Sequence, residues 1–508
     1  MKQAKSTCKR PLVSQEIELK LLVEPAKRDA VLALCQQLAK EAQPSQLELS
    51  NAYFDTPDLQ LRQHDIGLRI RRRGDEREQT IKLSGEVLGG MHSRPEYNVV
   101  VTRDEPDLTL FEEDIWPDEF PVFDVQRELT EIFRTDFTRH RWQIISGDGV
   151  IELVFDEGQV IANDKTRPIC EIELEVQGGE IAQAYKLARR FITRVNARVG
   201  SLSKAARGYL LAEKSVLEPF THAHFVRQQP TDDAGGGLYR ALAYALQYWQ
   251  HNDACLNEQP SVRAVAGITD GIRLCKVVLQ QLALFEIDVS DHIVRLEQML
   301  GHLGWLSRYD GLNELTAEDG AYHRALEQNQ KLYDEILEQQ EHAVQLELVI
   351  NLSKRDDYQL TLFELGELCA QQPRHEQLTQ LPLKQWAAQR LREDWQQVVE
   401  AFTRHEEMRA DQYLKLLPQL QSSLQLGYCV GYLFDADDRE SFRAPWQDMM
   451  RGIREIMALK LLREAIKDTD DINTEKLLSW QEVQLESLLY ALERSRRAAL
   501  KQEPYWIL

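Results

Sequence analysis

Two short stretches alternate carboxylates with aliphatic residues. As strands, EIELK at 16–20 would place Glu16, Glu18 and Lys20 on one face, and EIELEV at 171–176 would place Glu171, Glu173 and Glu175 there. Ile17 and Leu19, or Ile172 and Leu174, take the opposite face. GLRIRRR at 67–73 does the same with Arg69, Arg71 and Arg73 against Leu68 and Ile70. TIKLSG sets Lys82 against Ile81 and Leu83, RPEYNV carries Arg94 and Glu96 on one face, and VIELVFDEG sets Glu152 and Asp156 against Ile151, Leu153 and Phe155. The arginine strand and the two glutamate strands are segregated by sign. Guanidinium and ammonium groups bind phosphate oxygens, while hard Mg²⁺ or Mn²⁺ combines carboxylates with substrate phosphates. Together these groups suit a linear phosphate chain.

Two arrangements present such rows. An open antiparallel sheet can wet one face, and Lys–Glu pairs across strands stabilise it. A closed barrel with the charged faces inward makes a polar tunnel. Carboxylates crowded in such an interior repel one another unless cations intervene, so segregation by sign calls for a polyanion on one wall and a metal on the other.

The surrounding sequence sets the frame. A chain of 508 residues is too long for one core, and its texture changes near residue 215. Before that point, alternating segments lie between turn signals such as RRGDE, SGEVLGG, SGDG and QGG, with helices expected at 26–40 and 180–199. The loose stretch containing LEPFTHAHFVRQQPTDDAGG reads as a linker over 215–236. Beyond it the apolar residues fall on helical stripes, such as Ile293, Leu296, Leu300 and Leu303, or Leu274, Val278 and Leu282. The expectation is an α+β chain with a mainly antiparallel domain over 14–214. An all-α domain of eight to ten hairpin-stacked helices follows over 237–508.

Net charge is −21, with most of the acidic excess beyond residue 214, which disfavours nucleic acid or an anionic membrane as partner. Seven scattered cysteines without metal spacing, no apolar run near ~20 residues, and a basic start without an apolar h-region predict a reduced cytoplasmic protein. His64, His92 and His140 read as surface or packing residues, and no Ser/His/Asp or Cys/His constellation is evident.

EIELK resembles the ExExK strand that opens the CYTH superfamily, the triphosphate tunnel metalloenzymes. YFDTPDLQLRQHDIGLRIR, TIKLSG, HSRPEYNV, the CEIELE strand and SLSKAARGY are similar to that family in the same order, over about 200 residues. The whole chain resembles bacterial inorganic triphosphatases that join a CYTH domain to a helical CHAD domain. The resemblance implies an eight-stranded antiparallel tunnel that hydrolyses inorganic triphosphate to pyrophosphate and phosphate with Mg²⁺ or Mn²⁺. Carried over by position, Glu16, Glu18, Lys20, Glu171 and Glu173 are the catalytic set, and Glu16, Glu18, Asp156, Glu171 and Glu173 the metal ligands, with Glu96 a further acidic candidate. Lys20, Arg69, Arg71, Lys82, Arg94, Arg139 and Lys204 form the phosphate wall; in FTRHRW alternation equally allows Arg141. Ser203 and Arg207 flank Lys204 and are expected to orient it. Arg72 and Arg73 are expected at the surface, and Tyr53 and Asp55 in packing and a turn.

The helical half departs from the CHAD pattern. SVRAVAGITDGIRLCKVVL keeps Arg273 and Lys276 but has neither the histidine nor the arginine pair of the HxxxRxxxRR-type helix. A stability or protein-docking module is the expectation there, and residues 1–214 are expected to act alone. The alternatives are another CYTH activity on an organic triphosphate, as in thiamine triphosphatases or class IV adenylate cyclases, and a non-catalytic phosphate-binding scaffold. The two carboxylate strands argue against the scaffold, since binding an anion needs only the basic wall.

Overall fold

A computed structural model describes residues 12–39, 44–146, 149–373 and 375–507. Cys8 and the basic start, Lys40 of the first expected helix, and Gly147 and Asp148 of the SGDG turn lie outside the described residues. The chain divides into two compact units, one of residues 1–218 with 354–371, the other of 219–353 with 372–508. No helix among the described residues is long and apolar enough to cross a membrane.

The first unit is built on antiparallel strands β1 (Leu12–Leu22), β2 (Ser45–Asp55), β3 (Gly67–Arg73), β4 (Glu76–Lys82), β5 (Glu86–Leu88), β6 (Met91–Val101), β7 (Thr130–Ser146), β8 (Gly149–Ala162), β9 (Lys165–Val176) and β10 (Arg198–Val199). Their order is β10-β1-β9-β8-β7-β2-β3-β4-β6-β5, and β1 also pairs with β6. That last pairing closes eight strands into a barrel, with β5 and β10 appended outside the ring. Closure turns one parity of every strand into the lumen and decides between the two arrangements open from sequence.

On β1, β8 and β9 the outward parity is apolar and is covered by helices. Leu19, Leu21, Ile151, Leu153, Phe155, Ile172 and Leu174 pack under the helices Arg28–Leu38 and Ile181–Val195, through Val31, Leu34, Cys35, Tyr185, Ala188, Phe191 and Ile192. The second helix was expected to run to 199. It ends at Val195 because Asn196 takes a left-handed conformation (φ 48°) and its N–H returns to the Phe191 carbonyl. The chain then enters β10.

Inside, one end of the barrel is apolar and plugged. The helix Lys204–Leu211 places Tyr209 with Leu49, Tyr53, Phe133, Phe137, Val160 and Ile169. Gly208 lies on the Phe133 ring so closely that a β-carbon there would sit 2.0 Å from it. Ser203 caps this helix by accepting the Ala206 N–H at 3.1 Å, which leaves Lys204 as its first residue, facing the lumen.

Residues 354–371 also belong to this unit. The helix Asp356–Gln371 seats Phe363, fully buried, in the same core as Tyr185, with ring centroids 5.0 Å apart. Arg189 spans Glu364 and Glu367, the latter at 2.6 Å. The core of the barrel unit therefore includes side chains from beyond residue 214.

The second unit is all-α, with twelve α-helices among its described residues. The excess over the sequence expectation comes from short helices such as His323–Glu327 and Glu376–Gln380. The long ones form hairpins: Ala234–Glu258 with Val262–Ala283, and Ala436–Asp468 with Thr474–Ala499. The expected stripes face inward, with Leu274, Val278, Leu282, Leu296 and Leu303 buried.

Candidate active site

The lumen is a cavity of about 320 Å³ lined by Glu16, Glu18, Lys20, Arg69, Arg71, Lys82, Arg94, Glu96, Arg139, Glu173 and Lys204, all named from the sequence. Asp156 and Glu171 sit just behind this lining, fully buried. The barrel thus brings together residues from seven strands and the plug helix. Arg72 and Arg73 stay outside, paired with Asp104 and Glu76 and about half exposed. Both arginines of FTRHRW serve the inner face: Arg139 bonds Asp156 at 2.7 Å and Glu173 at 2.8 Å, while Arg141 bonds Glu152 at 2.6 Å.

Three carboxylates, Asp156, Glu171 and Glu173, each offer an oxygen within 4.8 Å of the others. Four cations surround them. Lys20 reaches Glu173 at 2.6 Å and Glu171 at 3.6 Å; Lys204 reaches Asp156 at 2.7 Å and Glu173 at 3.0 Å; Arg207 bonds Glu171. Arg139 completes the set. Burial opposes ionisation of Glu173, but Lys20, Lys204 and Arg139 overcome it and hold its carboxyl well below the usual range. In the same way Arg207, Lys20 and Lys204 outweigh burial and bring Glu171 down to about 2. Arg207 thus fastens the far oxygen of Glu171, whereas it was expected to orient Lys204.

The rest of the lumen is less evenly matched. Lys82 bonds Glu16 and lies 3.0 Å from Glu96, whose other cation, Arg69, is 3.4 Å away. Arg71 donates to Asn51 Oδ1 at 2.9 Å, and Arg94 to His92 Nδ1 at 3.3 Å. Neither arginine has a carboxylate partner among the described residues. Burial, with Arg69 and Arg139 nearby, pulls Arg71 down to about 10. Burial and Lys20 push His92 down to about 4, so the imidazole is neutral.

Strands β1, β8 and β9 bring three further carboxylates side by side. Glu18 and Glu175 are partners across β1 and β9, and Glu152 and Glu175 across β8 and β9. Burial, then Glu16, Glu152 and Glu18, raise the Glu175 carboxyl to about 7. Glu175 and Glu152 were absent from the site set read in the sequence. Their signal was parity, since Glu175 continues the row of Glu171 and Glu173, and Glu152 that of Asp156. Glu78 and Asn98 also line the cavity, on the parity of Lys82 and of Arg94 and Glu96, and so do Arg62 and Asp65, which lie outside the strands and carried no such signal. Tyr53 lines it too, though it stacks on Phe133 at 4.5 Å. Asp55 caps the short helix Gln60–Gln63 by accepting the N–H groups of Leu61 and Arg62.

All-oxygen donors, buried and close together, fit a hard divalent cation. The Asp156–Glu171–Glu173 group has the spacing for one but is already neutralised by its four cations. In the Glu18–Glu152–Glu175 strip, Glu18 has Lys20 at 3.2 Å and Glu152 has Arg141, while Glu175 has no ion-pair partner among the described residues. Glu16 is held at the Lys82 side, so the five expected ligands are not one cluster.

Comparison with known proteins agrees with the barrel. Residues 14–209 match the family model described as CYTH domain. An inorganic triphosphatase of Haemophilus influenzae is 36% identical over 209 residues, covering 41% of this chain and 57% of that one. This chain therefore spans under two thirds of that relative. Among solved structures, a proposed adenylyl cyclase from Hippeastrum with a dominant triphosphatase activity is 20% identical, covering 38% of this chain and 95% of that one, with a TM-score of 0.31. The CHAD domain of Ricinus communis is 11% identical, covering 57% of this chain and 93% of that one, with a TM-score of 0.40. Over residues 14–209 this chain is thus similar to CYTH domains.

Proposed function

We propose that the barrel lumen hydrolyses inorganic triphosphate to pyrophosphate and phosphate, with Mg²⁺ or Mn²⁺ as cofactor. The observation that carries this reading is a cavity in which Arg71 and Arg94 have no carboxylate partner among the described residues, and Glu175, beside Glu18 and Glu152, has no cation of its own. A linear polyanion supplies the charge that the two arginines lack, and a divalent ion the charge that Glu175 lacks.

Triphosphate carries about four negative charges near neutral pH, and that field repels an approaching nucleophile. Arg71, Arg94 and Arg69 take non-bridging oxygens, and guanidinium forks bind them in two-point geometry. Lys20 and Lys204, held on Glu173, stand where they can transfer hydrogen bonds to phosphate oxygens as charge builds on the leaving pyrophosphate. Glu16, Glu18, Glu152, Glu175 and the Asp156–Glu171–Glu173 group are the residues that would hold the ion. When bound it supplies Lewis-acid neutralisation of phosphoryl oxygens and acidifies water. The apolar plug around Tyr53, Phe133 and Tyr209 closes one end to solvent.

The test is product analysis. The full chain is incubated with inorganic triphosphate, ATP, thiamine triphosphate or long polyphosphate, with Mg²⁺, Mn²⁺ or chelator. Equal amounts of pyrophosphate and phosphate from triphosphate, abolished by chelator, are expected. Faster turnover of an organic triphosphate would move the assignment to that substrate class, and tight binding without products would make the barrel a scaffold.

A further inference from the structure

We propose that the helix Asp356–Gln371 is part of the frame of the phosphate site, with Gln359 and His92 as positioning residues that set where Arg94 points. The inference rests on the reading of the lumen as a triphosphate site.

The connection is a continuous set of hydrogen bonds. The Val199 N–H donates to Gln359 Oε1 at 2.7 Å, and Gln359 is buried. Strand β10 is thus held on one side by β1, through Leu21 and Leu22, and on the other by a side chain 160 residues further along. The next residue, Gly200, donates its N–H to the Lys20 carbonyl at 2.9 Å. A β-carbon at 200 would lie 2.8 Å from Lys20 Cγ, so glycine lets the two strands close on a lumen lysine.

The Gly200 carbonyl faces His92 Nε2 at 2.9 Å. A carbonyl only accepts, so Nε2 carries the proton. Nδ1 is then an acceptor, and the guanidinium of Arg94, a donor only, meets it at 3.3 Å. One tautomer satisfies both contacts. His92 is buried and turns the backbone position of Gly200 into an orientation of Arg94, one of the two arginines left for substrate.

The helix at the far end of this path is firmly seated. Phe363 lies in the barrel core, and Arg189 grips Glu364 and Glu367. Gly366 meets Gly89 so closely that a β-carbon on either would be 2.4 Å from the other's Cα. Gly89 and Gly90, both at positive φ, form the turn into β6, which carries His92 and Arg94. The helix therefore touches the frame of Arg94 at both β10 and the start of β6.

The test uses the full chain and four variants: Gln359→Met, His92→Phe, His92→Gln, and the Gln359→Met/His92→Phe double. Melting temperatures establish folding, and KM and kcat are measured for inorganic triphosphate with Mg²⁺. Loss of a contact that only places a binding group raises KM with little change in kcat. Gln359→Met and His92→Phe should each raise KM roughly three- to tenfold with kcat within about twofold. His92→Gln, which keeps a donor and an acceptor, should recover most of the loss. Because the two residues act through one path, the double variant should be little worse than His92→Phe alone. If His92→Phe fails to fold, Gln359→Met decides, since Gln359 lies on the helix Asp356–Gln371 and is not among the residues lining the cavity. Wild-type KM in folded Gln359→Met, or multiplicative effects in the double, would overturn the inference. Failure of the unaltered chain to bind or hydrolyse triphosphate would overturn the reading beneath it, and the inference with it.

Discussion

Arg71 and Arg73 sit two residues apart on β3 and share a parity, but only Arg71 reaches the cavity; Arg73 runs past the mouth to Glu76. A charged hydrogen-bonded contact is worth about 1.5–3 kcal/mol, so Arg71→Ala should weaken triphosphate binding on the order of ten- to a hundredfold. Arg73→Ala should leave it unchanged, and calorimetric titration of both separates the two cases. Glu175 gives a pH signature. Its carboxyl titrates near 7 in the folded chain against an ordinary value of 4.5, so between those values the folded state binds the extra proton. Its contribution to stability is therefore largest below about 4.5 and is lost as pH rises through 7. In chelator, Glu175→Gln should flatten the fall in melting temperature between pH 5 and 8. An unchanged slope would show that the carboxylate strip is already neutralised. The members of this strip were visible as parity in EIELEV and VIELVFDEG. That Glu175 alone would be left without a cation was not, because the positions of Lys20, Lys204 and Arg139 around Glu173 depend on barrel closure.

At the scale of elements, alternation identified which face of each strand is charged, and every one of those faces turned inward. What alternation does not contain is the register that sets Glu18 beside Glu175, or the β1–β6 pairing that closes the ring. The plug helix is a second case. SLSKAARGY carries its cap in Ser203 and its lysine in Lys204, yet nothing local in it says that Gly208 must pass over the Phe133 ring. Gly208→Ala should destabilise the barrel unit by about 1–3 kcal/mol through overpacking. Because Lys204 rides on the same helix, it should also lower triphosphate turnover. Denaturant melts and initial rates on one preparation test both; a stable, fully active variant would mean that the helix can slide without cost.

For the whole molecule, the division near residue 215 follows composition, but the barrel unit takes a helix from far beyond it. Residues 356–371 carry the same amphipathic pattern as their helical neighbours, so the sequence had no mark to set them apart. Only Phe363, Gln359 and Glu367, placed against Tyr185, Val199 and Arg189, reveal the allegiance. Phe363→Ala in the full chain should cost about 3–5 kcal/mol, as for other buried aromatics. Residues 1–218 expressed alone should melt well below the barrel unit of the full chain, contrary to the self-sufficient domain expected from composition.

The central claim is that the lumen hydrolyses triphosphate, and Glu173 touches three of its cations. The most direct measurement is the initial rate of phosphate release from inorganic triphosphate, in Mg²⁺, by the full chain and by Glu173→Gln, with folding checked by melting. The account predicts a rate for the unaltered chain that chelator abolishes, and a loss on the order of a hundredfold or more in the folded variant. A folded Glu173→Gln chain with undiminished, metal-dependent turnover would place the chemistry outside this lumen.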